Sequence, residues 1–216
     1  MQRRKQMLVM LIISSMFSAG LLLFRFIYTS NITFIFLGWN LVLAWIPFMI
    51  SYAYSYYDER FRSRIILFFT IMIWFPFFPN APYIITDLFH LWEKHDIPLW
   101  FDLILILSFA WNGILLGFLS LFEFQRIISR RISVFYGWAF AIAAIFAGSF
   151  GVYVGRYLRW NSWDIISHPL CLARDMADVV LHPVKNTSGW GMTLFLSCFF
   201  IVSYLSVRYM AGIKVK

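Results

Sequence analysis

The chain has 216 residues, 62% hydrophobic and 13% charged, with a formal net charge of +8 and a mean hydropathy of +0.75. Soluble domains average roughly 45–50% apolar and about 25% charged, so a water-solvated globule is excluded. The positive charge does not indicate nucleic acid: Lys and Arg sit in short clusters between apolar runs, as membrane topology signals do, and no recognition motif accompanies them.

A spanning helix needs about 20 mainly apolar residues, and six segments qualify. The first, Met7–Phe24, follows Met-Gln-Arg-Arg-Lys like a signal peptide. It is long and lacks a small-residue cleavage site before Arg25, so it reads as an uncleaved helix. Ile32–Ala53 is the second. The third, Ile65–Ile85, is interrupted by Pro76, Pro79 and Pro82, which remove backbone donors and disfavour helix before them. Two readings stand: a broken helix beside a cavity, or a helix ending near Phe75 with an extended interfacial loop beyond. Tyr83, Asp87 and His90 follow at i, i+4, i+7 and so would share one α-helical face. A carboxylate and an imidazole three apart can form half of a divalent metal site, or a base with its orienter; an interfacial turn with a hydrogen-bonded Asp is the structural alternative.

The fourth segment, Phe101–Phe122, carries Asp102 in its first turn, where an acid complements the helix dipole. Inside it, Asn112, Gly113 and Gly117 suggest close packing with an interhelical hydrogen bond. The fifth, Val134–Val154, is lined by Ala139, Ala143, Ala147, Gly148, Gly151 and Gly155, which allow close helix approach. At its end Arg156 and Arg159, three apart, would share a face framed by Tyr153, Trp160 and Trp163. Arginine forks suit anionic head groups; a snorkelling pair, salt-bridged to Asp87 or Asp164, is the alternative. From His168 to His182 the chain reads as an amphipathic interfacial helix, with Leu172, Ala173, Met176, Val179 and Val180 on one stripe and Pro169 in the first turn. His168 would cap it. Met192–Met210 is the sixth span. Cys171 and Cys198 show no metal spacing and read as small buried hydrophobes.

The basic clusters Arg3–Lys5, Arg60–Arg64, Arg126–Arg131 and Arg208–Lys216 fall on one side, and the positive-inside rule makes it cytoplasmic. All four histidines, and most acids, fall on the other side, in segments 79–100 and 155–190; Glu93, Lys94, His95 and Asp96 are among them. Asp58, Glu59 and Glu123 remain inside. The expected fold is therefore all-α: a polytopic membrane helix bundle of six transmembrane helices, N-in/C-in, with an extracytoplasmic amphipathic helix, forming a single domain over 1–216.

The phrases Pro79-Asn-Ala-Pro-Tyr-Ile-Ile-Thr-Asp-Leu-Phe-His-Leu91 and Gly155-Arg-Tyr-Leu-Arg-Trp-Asn-Ser-Trp-Asp164, with His168-Pro169-Leu170 and Arg174-Asp175, resemble a bacterial membrane family catalogued as domain of unknown function 1361. The resemblance runs from about the second helix to the sixth. It implies a bacterial plasma-membrane location and no particular reaction.

Three functions remain in competition. An enzyme or binding protein for anionic or glycosylated envelope lipids would use Asp87, His90, Asp164 and Asp175 as candidate acid–base groups. Its candidate substrate-binding residues are Asn80, Tyr83, Arg156, Arg159, Trp160 and Asn161, and its partner the lipid bilayer. A transporter would need polar residues deep in the spans, which offer few beyond Asn40 and Asn112. A scaffold subunit would have its outer charges satisfy one another and leave no pocket.

Overall fold

The computed structural model describes residues 2–57, 63–91, 97–210 and 212. Asp58, Glu59, Arg60, Arg62, Glu93, Lys94, His95, Asp96, Lys214 and Lys216, used above to orient the chain, lie outside the described residues, and so does the side chain of Arg3.

Those described residues are mostly helical and contain no strand. The order is α1 (Gln2–Thr29), α2 (Ile35–Tyr56), α3 (Arg64–Trp74), α4 (Asn80–Tyr83), a 3₁₀ helix (Ile84–His90), α5 (Leu99–Arg131), α6 (Val134–Tyr157), α7 (Asp164–Ser167), α8 (Pro169–Leu181) and α9 (Thr187–Met210). Five of these, α1, α2, α5, α6 and α9, are long and apolar enough to cross a membrane. Of the two readings of the third segment, the broken helix is the one observed. Its helix stops at Trp74, and the chain continues as turns, one short helix and a 3₁₀ stretch. It is neither a regular span nor an extended loop. Prolines every third residue stop α-helix propagation, yet their fixed φ suits tight helical turns.

α5 is the central post, packed by α1, α2, α6 and the broken segment. Its contact with α1 has three polar rungs. Arg4 bonds Glu123 at 3.1 Å, Asn112 donates to Ser18 at 3.0 Å, and Arg25 forks onto Asp102 at 2.6 and 3.1 Å. Leu11, Ser18 and Arg25, spaced seven apart, are the buried residues of α1, the spacing of a helix seam. Asp102 therefore takes a buried arginine as its partner besides facing the helix dipole. On the far side α6 joins α5 to α9.

The broken segment is seated by glycines. A Cβ on Gly113 would collide with the Ala81 carbonyl oxygen, one on Gly148 would stand 2.8 Å from the Phe78 ring, and one on Gly151 2.7 Å from the Pro79 ring. Trp74 anchors its start: the fully buried indole donates to Ser120, which donates onward to the Pro47 carbonyl at 3.0 Å. Segments 76–90 and 158–186 thus gather at one end of the bundle, called here the site end, while Arg4, Ser55 and Glu123 mark the other.

Gly113→Ala should lower the detergent-unfolding stability of the purified protein by about 1–3 kcal/mol, the usual cost of overpacking against a backbone that cannot yield. Gly20→Ala, which meets open space, should leave the unfolding midpoint unchanged or slightly raised.

Candidate functional site

The site begins with a backbone accounting. The turns of the broken segment satisfy much of it internally, with Phe77 and Phe78 amides on the Trp74 carbonyl and the Tyr83 amide on that of Pro79. Three carbonyls are met by side chains, that of Tyr83 by Thr86 at 2.7 Å. Ser162 donates to Pro76 at 2.9 Å, and Asn80 Nδ2 donates to Phe77 at 3.0 Å and to Ser162 at 2.8 Å. The loop after α6 is thereby stitched to the break.

One turn further on, Asp87 is buried. It accepts from Arg156 at 2.8 Å and from Asn40 Nδ2 at 2.9 Å. Arg156 also donates to Thr86 at 3.0 Å and lies over the Tyr83 ring, 4.9 Å from its centroid.

The sequence candidates divide around this pair. Asp87 and Arg156 meet, but His90 is exposed, set against the Phe36 ring at 5.0 Å. The stretch is 3₁₀, so Asp87 and His90 eclipse each other, and Tyr83 belongs to the preceding turn rather than to a shared α-helical stripe. Arg156 and Arg159 do not share a face, because α6 ends at Tyr157 and Arg159 turns the chain with φ +60°. Arg159 is exposed and has no partner among the described residues. Asp164 accepts from the Asn161 amide at 2.7 Å and from Ser167 at 3.0 Å, which ties the short helix α7. Those bonds, the Asn161 amide first, hold its carboxyl below the ordinary range. Asp175 is exposed and accepts from the Trp160 indole at 2.9 Å. Among the described residues no three His, Cys, Asp or Glu side chains converge on a metal position, so the Asp87–His90 pair gains no third ligand there.

α8 forms where expected, with Leu172 and Val179 buried and Ala173 and Val180 turned outward; Cys171 and, on α9, Cys198 are both exposed on the bundle surface rather than buried as expected. α8 packs on Tyr153 and Val154 of α6. His168 occupies the cap position but makes no capping hydrogen bond with its side chain.

Between α2, the broken segment, α6 and α8 lies a cavity of about 260 Å³. Trp39, Phe75, Tyr83, Phe150 and Trp160 give it aromatic walls, Asn40, Asn80, Asn161 and Ser162 give it neutral polar groups, and Leu172 and Met176 of α8 close one side. Asp87 and Arg156 stand behind Asn40 and Tyr83 rather than in the lining. Asn40, Thr86 and Ser162 escaped the sequence-based site. Asn40 carried a usable signal, since an amide within an apolar span needs a partner; Thr86 and Ser162 carried none.

A protein-family model described as "Protein of unknown function (DUF1361)" matches residues 39–203, from Trp39 in α2 into α9. No curated protein and no solved structure matches the chain.

Arg156→Leu should strip a buried carboxylate of its counter-ion and destabilise the fold by about 3–5 kcal/mol. The double variant Asp87→Leu with Arg156→Leu should recover more than half of that loss in the same unfolding assay. Additive losses would mean that the two groups do not act as a pair.

Proposed function

We propose that this chain, which belongs to the DUF1361 family, is a multi-pass protein of a bacterial plasma membrane that holds the head group of an amphiphile in its site-end cavity. Both termini are cytoplasmic in this reading. α3 and the broken segment together make the sixth crossing, and the site end faces outward with α8 lying at the interface as a lid. The observation that carries the reading is the cavity itself: a mainly apolar wall with five aromatic side chains, and four amide or hydroxyl side chains set into it, between helices that lipid surrounds. Ligand sites in helical proteins favour such interhelical clefts, with a few polar groups fixing orientation among apolar walls.

Binding is favoured over catalysis by how the charges are used. Asp87 and Arg156 neutralise each other, Asp164 ties a turn, and Asp175 holds Trp160 in place. None of these carboxylates lines the cavity. Their role is to position the lining: Asp87 orients Asn40, Arg156 supports Tyr83, and Asp175 orients Trp160. The satisfied ion pairs fit a second reading, a scaffold subunit, but the cavity does not, since that reading expected no pocket; it survives only if the cavity has no specific occupant.

Two measurements test this. In intact expressing bacteria, a membrane-impermeant maleimide should label Cys171 on α8 and leave Cys198, within α9, unlabelled; labelling of Cys171 only after permeabilisation would reverse the orientation. Mass spectrometry of protein purified in mild detergent should find an amphiphile retained by the wild type and lost from Ala147→Phe, whose ring would fill the cavity. Equal retention by both would support the scaffold reading.

A further inference from the structure

The polar atoms of the cavity differ in whether the protein already uses them. Asn80 presents Nδ2 to the Phe77 carbonyl and to Ser162. A carbonyl can only accept, so the atom facing it must be the amide nitrogen, and Oδ1 is left over. Asn40 likewise turns Nδ2 to the Arg156-paired carboxylate of Asp87, leaving its own Oδ1. Ser162 gives its proton to the Pro76 carbonyl. Neither amide oxygen has a partner among the described residues, and neither is among the sealed-off polar atoms. The Tyr83 hydroxyl is also without a partner there. What the cavity offers a ligand is therefore a mixed, uncharged set: amide oxygens, the Tyr83 hydroxyl, and N–H groups from Trp39, Asn161 and the second proton of Asn40.

A set that both accepts and donates suits a head that does both. An ionised phosphate or carboxylate head would find no cation in the lining, and having no donors it would leave the amide oxygens unpaired. A cationic head would want a free carboxylate in the lining, and Asp87 is spent on Arg156 behind Asn40. A neutral polyol satisfies the set: its hydroxyls donate to the amide oxygens, and the apolar face of a sugar ring packs on aromatic side chains. Trp39, Trp160 and Tyr83 supply such faces. Trp39 is 55% exposed and meets Trp163 edge-on at 6.4 Å, which extends the aromatic wall. About 260 Å³ lies just under the roughly 300–1,000 Å³ of typical ligand pockets, a size for one small head.

From this arrangement we infer that the ligand head is an uncharged sugar, so that the chain recognises a glycosylated amphiphile through hydroxyl donors rather than an anionic lipid through arginine. The inference rests on the cavity being a head-group site, as proposed above, and names what that site selects. Recognition of this kind is sharp, because a ligand lacking the donors leaves the site's acceptors desolvated and unpaired.

The test uses the full-length protein in amphipol, titrated with n-hexyl β-glucoside and with n-hexyl phosphate, read by tryptophan fluorescence. The glucoside should bind saturably and the phosphate should not over the same concentrations. Tyr83→Phe should weaken glucoside binding by about tenfold, as loss of a contact central to binding does, and Ala147→Phe should abolish it. Trp39→Ala, at an exposed position, should weaken it as well and stands in should Ala147→Phe fail to fold. Saturable binding of the phosphate that a cavity variant removes would overturn the sugar assignment and leave the head-group site standing. If neither probe saturates, or if no cavity variant alters binding, the head-group site falls and the assignment with it.

Discussion

Everything at the site end depends on one constraint: backbone polar groups shut away from water must find partners within the protein. Pro76, Pro79 and Pro82 make that impossible for a regular third helix. The chain answers with tight turns whose carbonyls also accept from the side chains of Asn80, Thr86 and Ser162. Turns are bulkier at the backbone than a helix, so their neighbours must be thin, and glycines on α5 and α6 supply the room. The cavity follows from the same geometry, since a segment that leaves the path of a straight helix leaves space between α2 and α6.

Charge is then used as fastening. Arg25 with Asp102, Arg156 with Asp87 and Arg4 with Glu123 each join helices distant in sequence. In a low-dielectric bundle an unpaired charge would be far more costly than in water. The pairs fix α1 on α5 and the 3₁₀ helix on α6, and they leave neutral amides and rings facing the cavity. A site built this way holds its shape without presenting net charge to its ligand.

The helices were largely legible in the sequence, because lipid imposes long apolar runs and Asp, Glu, Lys and Arg mark their ends. α8 was legible from its stripe and from Pro169, although Ala173 and Val180 turn outward. The break was legible as a break but not in form, since three prolines permit turns, 3₁₀ helix or extended chain equally well. Asp87 and Arg156 were both flagged, yet their union spans 69 positions, and no local pattern encodes it. Helical spacing misled twice. The stretch after Tyr83 is 3₁₀, which changes which residues eclipse, and α6 stops before Arg159, which sends the second arginine elsewhere. Arg25 stood in the sequence only as the residue closing the first apolar run, and the α1–α5 seam reveals its partner.

The central claim is that the cavity under α8 is occupied by one kind of amphiphile. The most direct measurement replaces Met176, which lines the cavity, or Leu170, which is exposed on the same helix, with a photo-crosslinking phenylalanine in living cells. The masses of the lipid adducts are then compared. A single dominant adduct from position 176, with only the bulk lipid mixture from position 170, is the predicted result. The same mixture at both positions, or no adduct at 176, would contradict the account.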